Sequence, residues 1–180
     1  KFDEYLRQAV NASFSGLLWS PEMRDAGSYD EMLNRVALSS FAPQMCLDAW
    51  FLPNPIWQHY ERSKNEAADF LPPEEQERVA TRIRELVERR MQLLPYFYAA
   101  FHRYRREGLP PLRALILEFP GDGNLRGVDD AFIYGDNLLV APFRSEACTR
   151  EVYFPAGVDW IDVRTSATYE GGTKHAFAGK

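Results

Sequence analysis

Hydrophobic and polar residues alternate with a helical period in the first part of the chain and with a strand-like period of two after residue 112. The longest regular stretch is 74–107, where apolar side chains recur every three or four positions. This rhythm predicts an amphipathic helix with Glu and Arg on its outer face. Pro95 lies inside the pattern and predicts a kink, and Gly108 predicts a left-handed end to the helix.

Shorter patterns precede that helix. Apolar residues at helical spacing predict a short amphipathic helix over 3–10. The segment 13–19 is short, apolar and bounded by Ser-Pro, which predicts a buried strand, with 21–27 as the loop that follows it. Ser28 and Glu31 predict the capping box of a second helix.

A second strand is predicted over 41–47, although it contains a proline. The stretch 48–73 holds four prolines and therefore cannot form one continuous helix. Its aromatic residues argue against disorder, and loops of this length within compact domains are usually functional. Strand and helix patterns thus alternate up to residue 112, as they do in an α/β barrel.

The chain after residue 112 shows an all-β pattern. Short strands are predicted over 114–119, 131–134, 138–141, 151–154 and 160–163. Gly-Asp-Asn at 135–137 predicts a turn between two of them, and such spacing is typical of a sandwich or barrel. We therefore predict two parts, an α/β part over 1–112 and an all-β part over 113–180. Neither pattern looks complete, so we expect the chain to be a fragment of a longer protein.

Composition narrows the classes of function. The 180 residues are 46% hydrophobic, and the net charge of -5 argues against a nucleic-acid partner. No apolar run approaches the ~20 residues that a membrane span needs, so we expect no membrane partner. Cys46 and Cys148 match no metal-ligand spacing, and we predict no metal and no cofactor. The Asp-rich stretch 122–130 leaves a cation site open as an alternative, and His175 is expected in a loose tail.

Several motifs occur in a fixed order. They are SGLLW at 15–19, the helix and FAP over 31–43, RMQLLPYFY at 90–98, RALILEFPGD at 113–122, DDAFIYG at 129–135, LLVAP at 138–142, REVYFP at 150–155, WID at 160–162 and YEGG at 169–172. Together they resemble glycoside hydrolase family 31, which contains α-glucosidases, α-xylosidases and some α-galactosidases. The resemblance implies that 1–112 is the C-terminal part of a (β/α)8 TIM barrel. It implies that 113–180 is the start of the proximal C-terminal β-sandwich.

The resemblance also implies a retaining α-glycosidase, whose two catalytic carboxyl groups lie about 5–5.5 Å apart. In the family the nucleophile is an Asp on an earlier strand, and the acid/base Asp precedes the helix with which this chain starts. Asp3 falls too late to be that acid/base residue, so neither catalytic carboxylate is expected in this chain. The expected partners are a carbohydrate substrate and the remainder of the same polypeptide. Homo-oligomerisation stays open, and so does the cellular compartment.

The substrate-binding residues expected from the resemblance are Trp19, Glu22, Arg24, Asp48 and Trp50. They follow the last two strands, because active sites of such barrels lie at the carboxyl ends of the strands. Glu22 takes the place of the family's pocket Asp, Cys46 that of an Arg, and Asp48 that of a sugar-binding His. Glu22 could instead be a loop acid paired with Arg24, Asp48 a turn acid, and Trp50 a loop-core residue.

These departures cluster at the pocket, and they predict a shifted sugar preference rather than plain maltase activity. A site built to hydrogen-bond a sugar hydroxyl is sensitive to each polar partner. The alternative is a catalytically inactive carbohydrate-binding or structural relative.

Overall fold

The N-terminal segment forms helix α1 (Phe2–Ala12), followed by a 3-10 helix (Ser13–Ser15). The computed structural model describes residues 2–18, 22–23, 29–47, 73–144 and 147–179. The helix predicted over 3–10 is confirmed, but the strand predicted over 13–19 is wrong at its start. Gly16 ends the 3-10 turn with a φ of 68°. The buried Ser13 hydroxyl donates to Val10 O at 2.6 Å and accepts from the Ala114 amide at 3.1 Å.

A parallel strand pair follows α1, formed by β1 (Glu22–Met23) and β2 (Cys46–Leu47). The predicted loop over 21–27 is therefore wrong at Glu22–Met23, and the strand predicted over 41–47 shrinks to its last two residues. Helix α2 (Tyr29–Ser39) joins the two strands and confirms the predicted helix. Ser28, the capping-box residue, and the irregular stretch 48–72 lie outside the described residues.

The long predicted helix is confirmed as α3 (Pro73–Glu107), which continues through Pro95. The kink at Pro95 stays a prediction. Gly108 follows with a φ of 74°, and its amide donates to Tyr104 O at 2.9 Å, as expected for a left-handed helix end. Among the helices of the described segments, none combines the length and the apolar character needed to cross a membrane.

Three short strands form the next sheet, in the order β3 (Leu112–Ala114), β4 (Phe132–Tyr134) and β5 (Leu138–Val140), and all pairs are antiparallel. The turn predicted at 135–137 lies between β4 and β5. The strand predicted over 114–119 is wrong after Ala114, because Leu115–Glu118 forms a short helix, α4. The Phe119 amide closes that turn on Leu115 O at 3.0 Å.

The last part of the chain contains two further antiparallel pairs. Strand β6 (Thr149–Tyr153) pairs with β9 (Lys174–Ala178), and β7 (Trp160–Ile161) pairs with β8 (Thr168–Tyr169). The predicted strands at 151–154 and 160–163 correspond to β6 and β7. The expected loose tail around His175 is wrong, because His175 lies in β9 opposite Val152.

The β3–β4–β5 sheet is buried on both faces. Phe132 and Tyr134 of β4 pack with α1, α2 and α3 in one cluster, whereas Ile133 packs in another with Leu115 and Leu125. Adjacent residues of a strand point to opposite faces, so one short strand serves both clusters. Residue 112 lies within the first cluster, so the helices and the sheet share a continuous core. The division of the chain at that residue stays a prediction.

Candidate functional site

The carboxyl ends of β1 and β2 lie side by side. In the parallel register, Glu22 is opposite Cys46 and Met23 is opposite Leu47. Arg24 follows β1 directly in the sequence, and Asp48 follows β2 directly. The two segments to which the sequence assigns substrate binding therefore begin at one edge of the strand pair, which is where α/β barrels place their active sites.

The described part of the chain leaves most of the predicted binding side chains aside. Trp19, Arg24, Asp48 and Trp50 lie outside the described residues, and only the backbone of Glu22 is described. What the structure brings together is the backbone of Glu22 and Cys46. The assignment of the five residues to substrate binding stays a prediction.

The approach to β2 is a tight turn after α2, over residues 40–43. The amides of Ser40, Phe41 and Ala42 donate to carbonyl oxygens of the last turns of α2, at 2.9–3.0 Å. The Ser40 hydroxyl donates to Ala37 O at 2.6 Å. These bonds hold the amide side of the turn, while the carbonyl oxygens of the turn need donors from elsewhere.

Arg90, from the middle of α3, supplies those donors. Its Nη1 donates to Ser40 O at 2.6 Å and to Ala42 O at 2.9 Å, and its Nη2 donates to Pro43 O at 3.2 Å. The guanidinium carbon lies 5.3 Å from the centre of the Phe97 ring, within cation–π range. Burial lowers the pKa of Arg90, and the nearby Tyr134 opposes that shift.

Aromatic side chains pack the same turn from the other side. Phe41 lies 6.1 Å from Phe97 and 6.2 Å from Tyr134, measured between ring centres. Phe97 and Tyr134 are themselves 4.4 Å apart. Burial raises the pKa of Tyr134 to about 12, and the Arg90 charge acts against that rise. The turn before β2 is thus held by an apolar contact and by a charged one.

A sequence signal for Arg90 exists. Arg90 falls on the same helical rhythm as Val87, Met91 and Leu94, so a charge interrupts an otherwise apolar face. A charged residue at such a position needs buried polar partners, because burying an unpaired charge is costly. The sequence does not show that those partners are backbone carbonyls some 50 positions earlier.

The acidic residues considered as a cation site are engaged with other groups. Asp129 pairs with Arg7 at 2.6 Å, and Asp130 pairs with Arg150 at 3.4 Å. Asp122 accepts from the Tyr153 hydroxyl at 2.7 Å. Bonds from the Ala156 amide and from Tyr153 lower the pKa of Asp122. Within the described segments, His, Cys, Asp and Glu form no group of three or more that could hold a metal ion.

Known proteins resemble this chain in sequence. Residues 108–179 match the glycosyl hydrolase family 31 C-terminal domain. Alpha-glucosidase 2 of Bacillus thermoamyloliquefaciens is 38% identical over 94 residues, which are 52% of this chain and 12% of that protein. Neutral alpha-glucosidase AB of Sus scrofa is 42% identical over 91 residues, which are 49% of this chain and 10% of that protein.

The fold resembles solved structures over almost the whole chain. The cycloalternan-forming enzyme from Listeria monocytogenes, in complex with a pentasaccharide substrate, superposes with a TM-score of 0.80 at 26% identity. The match covers 99% of this chain and 17% of that enzyme. The fold and the motifs are those of a glycoside hydrolase, and the chain belongs to glycoside hydrolase family 31. It spans about a tenth of the length of the curated relatives that it matches.

Proposed function

We propose that this chain is part of a retaining α-glycosidase that hydrolyses terminal α-linked sugars from oligosaccharides or glycosides. The observation that carries the proposal is its identity of 38% and 42% to two proteins named as α-glucosidases. In this proposal, residues 1–112 complete the C-terminal part of a (β/α)8 barrel and residues 113–180 begin the β-sandwich that braces it. The parallel β1–β2 pair is consistent with the barrel part.

The catalytic carboxylates of the proposed reaction lie in the longer polypeptide, upstream of residue 1. A retaining enzyme uses one carboxylate as nucleophile and one as acid/base, and passes through a covalent glycosyl-enzyme intermediate. This chain contributes the sugar-binding segments that follow β1 and β2. We assign Trp19, Glu22, Arg24, Asp48 and Trp50 to them.

The activity of the full-length protein, meaning that longer polypeptide, tests the proposal. We expect it to hydrolyse at least one nitrophenyl α-glycoside from a panel of glucoside, galactoside and xyloside. Proton NMR should show the α-anomer as the first product, because the reaction retains configuration. The isolated 180-residue chain should show no hydrolysis. A β-anomer as first product, or full activity of the isolated chain, would contradict the proposal.

The same panel tests the sugar preference. Asp48 stands where the family has a sugar-binding His, so an acceptor replaces a donor at that contact. We therefore propose a galactose-like or substituted sugar as the preferred substrate. Ordinary maltase activity, with glucosides as the best substrates, would sink this part while leaving the glycosidase proposal intact.

Replacement of the proposed pocket acids should weaken substrate use. We expect Glu22→Gln and Asp48→Asn each to lower kcat/KM about 10- to 100-fold, the equivalent of losing one hydrogen bond to a charged group, about 1.5–3 kcal/mol. Steady-state kinetics on the best glycoside gives the values. The matched control is Glu85→Gln, because Glu85 is an exposed residue of α3 paired with Arg82 at 2.8 Å. Pocket variants no different from this control would refute the assignment.

The second candidate is a catalytically inactive relative, and the departures from the family pattern at Glu22, Cys46 and Asp48 favour it. The upstream sequence separates the two candidates. An Asp on the nucleophile strand and a Gly-Asp shortly before Lys1 support the enzyme, whereas apolar or amide residues there support the inactive relative.

A further inference from the structure

We propose that Arg90 is a positioning residue that sets the carboxyl edge of the β1–β2 pair from a distance, through the turn over 40–43. The inference rests on the proposed function, which makes that edge part of the sugar pocket. Three contacts carry it, namely the bonds from one guanidinium to Ser40 O, Ala42 O and Pro43 O.

The first step of the argument is geometric. Arg90 belongs to the long helix, whereas all three acceptors belong to the connection between α2 and β2. Cys46, the first residue of β2, follows Pro43 by three positions, and it pairs with Glu22 of β1. A shift of the turn is therefore passed along a few residues of backbone to the strand pair.

The second step concerns the chemistry of the side chain. A guanidinium is a rigid planar fork with five donors, so it can hold three carbonyl oxygens in one fixed arrangement. A Lys ammonium is a compact point charge on a flexible stem and cannot reproduce that arrangement. The stacking of the guanidinium on Phe97, itself a core residue with 3% of its surface exposed, fixes the plane of the fork.

The third step separates positioning from stability. Phe41 anchors the turn to Phe97 and Tyr134 by ring contacts, independently of Arg90. Because this apolar anchor remains when Arg90 is replaced, the turn should stay folded but lose its fixed orientation. A displacement of about 1 Å in a substrate-positioning element is enough to cost a large factor in activity.

The test compares Arg90→Lys and Arg90→Met in the full-length protein. We expect both variants to raise KM about tenfold, with kcat changed less than about threefold, because a displaced binding edge weakens substrate binding more than it alters the chemical step. Hydrogen exchange at the amides of residues 44–47 should also accelerate about tenfold or more, since the strand pair is less well held. Arg90→Lys preserves the charge and serves where Arg90→Met fails to fold.

The control is Arg89→Lys and Arg89→Met, because Arg89 is the exposed neighbour of Arg90 in the same helix. These variants should change neither KM nor exchange. An Arg90→Lys protein with wild-type KM and wild-type exchange would overturn the inference, and so would a change confined to the thermal midpoint. If the wild-type protein proves inactive, the proposed function fails, and the exchange measurement alone decides the role of Arg90.

Discussion

Replacing Gly171 by alanine is expected to lower the local free energy of unfolding of the β6–β9 sheet by about 3 kcal/mol. A Cβ at Gly171 would overlap the carbonyl oxygen of Val158 and lie 2.6 Å from Pro155 O. Both obstacles are backbone atoms, so no side-chain rotation can relieve the overlap. Two loops therefore cross here with no room for a side chain between them.

The backbone at this crossing is tied on several sides, which explains the size of the expected effect. The Gly172 amide donates to Phe154 O at 2.8 Å, and the Phe154 amide donates to Thr173 O at 2.9 Å. The Trp160 indole donates to Pro155 O at 3.0 Å. A shift that accommodates the new methyl group must break one or more of these bonds.

The measurement is native-state hydrogen exchange of the β6 and β9 amides in the full-length protein. The matched control is Gly121→Ala, because Gly121 also has a φ outside the left-handed region and has no atom within 4 Å of the position that a Cβ would take. That variant should be neutral or slightly stabilising, since alanine has less freedom than glycine in the unfolded chain. Equal exchange in the two variants would show that the crossing is not tight.

The long helix was predictable because its signal is long. The apolar rhythm persists over 74–107, and Gly108 marks the end, so no tertiary contact is needed to identify α3. The same logic explains why α1 and α2 were found. Each has an apolar face that repeats for about three turns and packs on the shared core.

Short apolar runs were not predictable in the same way. Residues 13–18 and 115–118 are apolar over only a few positions, and periodicity cannot distinguish a strand from a helical turn at that length. At Ser13 the choice is made by a bond to the Ala114 amide, 101 positions later in the chain. A contact of that range leaves no trace in the local pattern.

The candidate site was only partly predictable for a related reason. The resemblance pointed to the segments after the two strands, but the apolar pattern placed the first strand at 13–19, ahead of its position at Glu22–Met23. A strand of two residues has too few positions to show a period of two. Arg90 was visible as a charge on an apolar face, but its acceptors are backbone atoms, which the sequence does not distinguish.

Arg113→Met is expected to lower the local free energy of unfolding of the β3–β4–β5 sheet by about 3–5 kcal/mol. Arg113 is 2% exposed, and its guanidinium donates to Pro110 O at 2.7 Å and to Gly135 O at 2.6 Å. It also pairs with Glu118. Methionine fills a similar volume but leaves these acceptors without their donor, and a buried acceptor without a partner is costly.

Arg103→Met provides the control for this second prediction. Arg103 also pairs with two carboxylates, Glu107 and Asp136, but 39% of its side chain is exposed. Its loss should cost less than about 1 kcal/mol, because water screens an exposed pair. Hydrogen exchange of the β4 and β5 amides, measured in low salt and in 1 M NaCl (Debye length about 3 Å), separates the two cases. Salt should diminish the effect of Arg103→Met but leave that of Arg113→Met almost unchanged. An Arg113→Met effect that salt removes would mean that the buried carbonyl bonds contribute little, and that the exposed pairing with Glu118 and Asp136 is what holds the sheet.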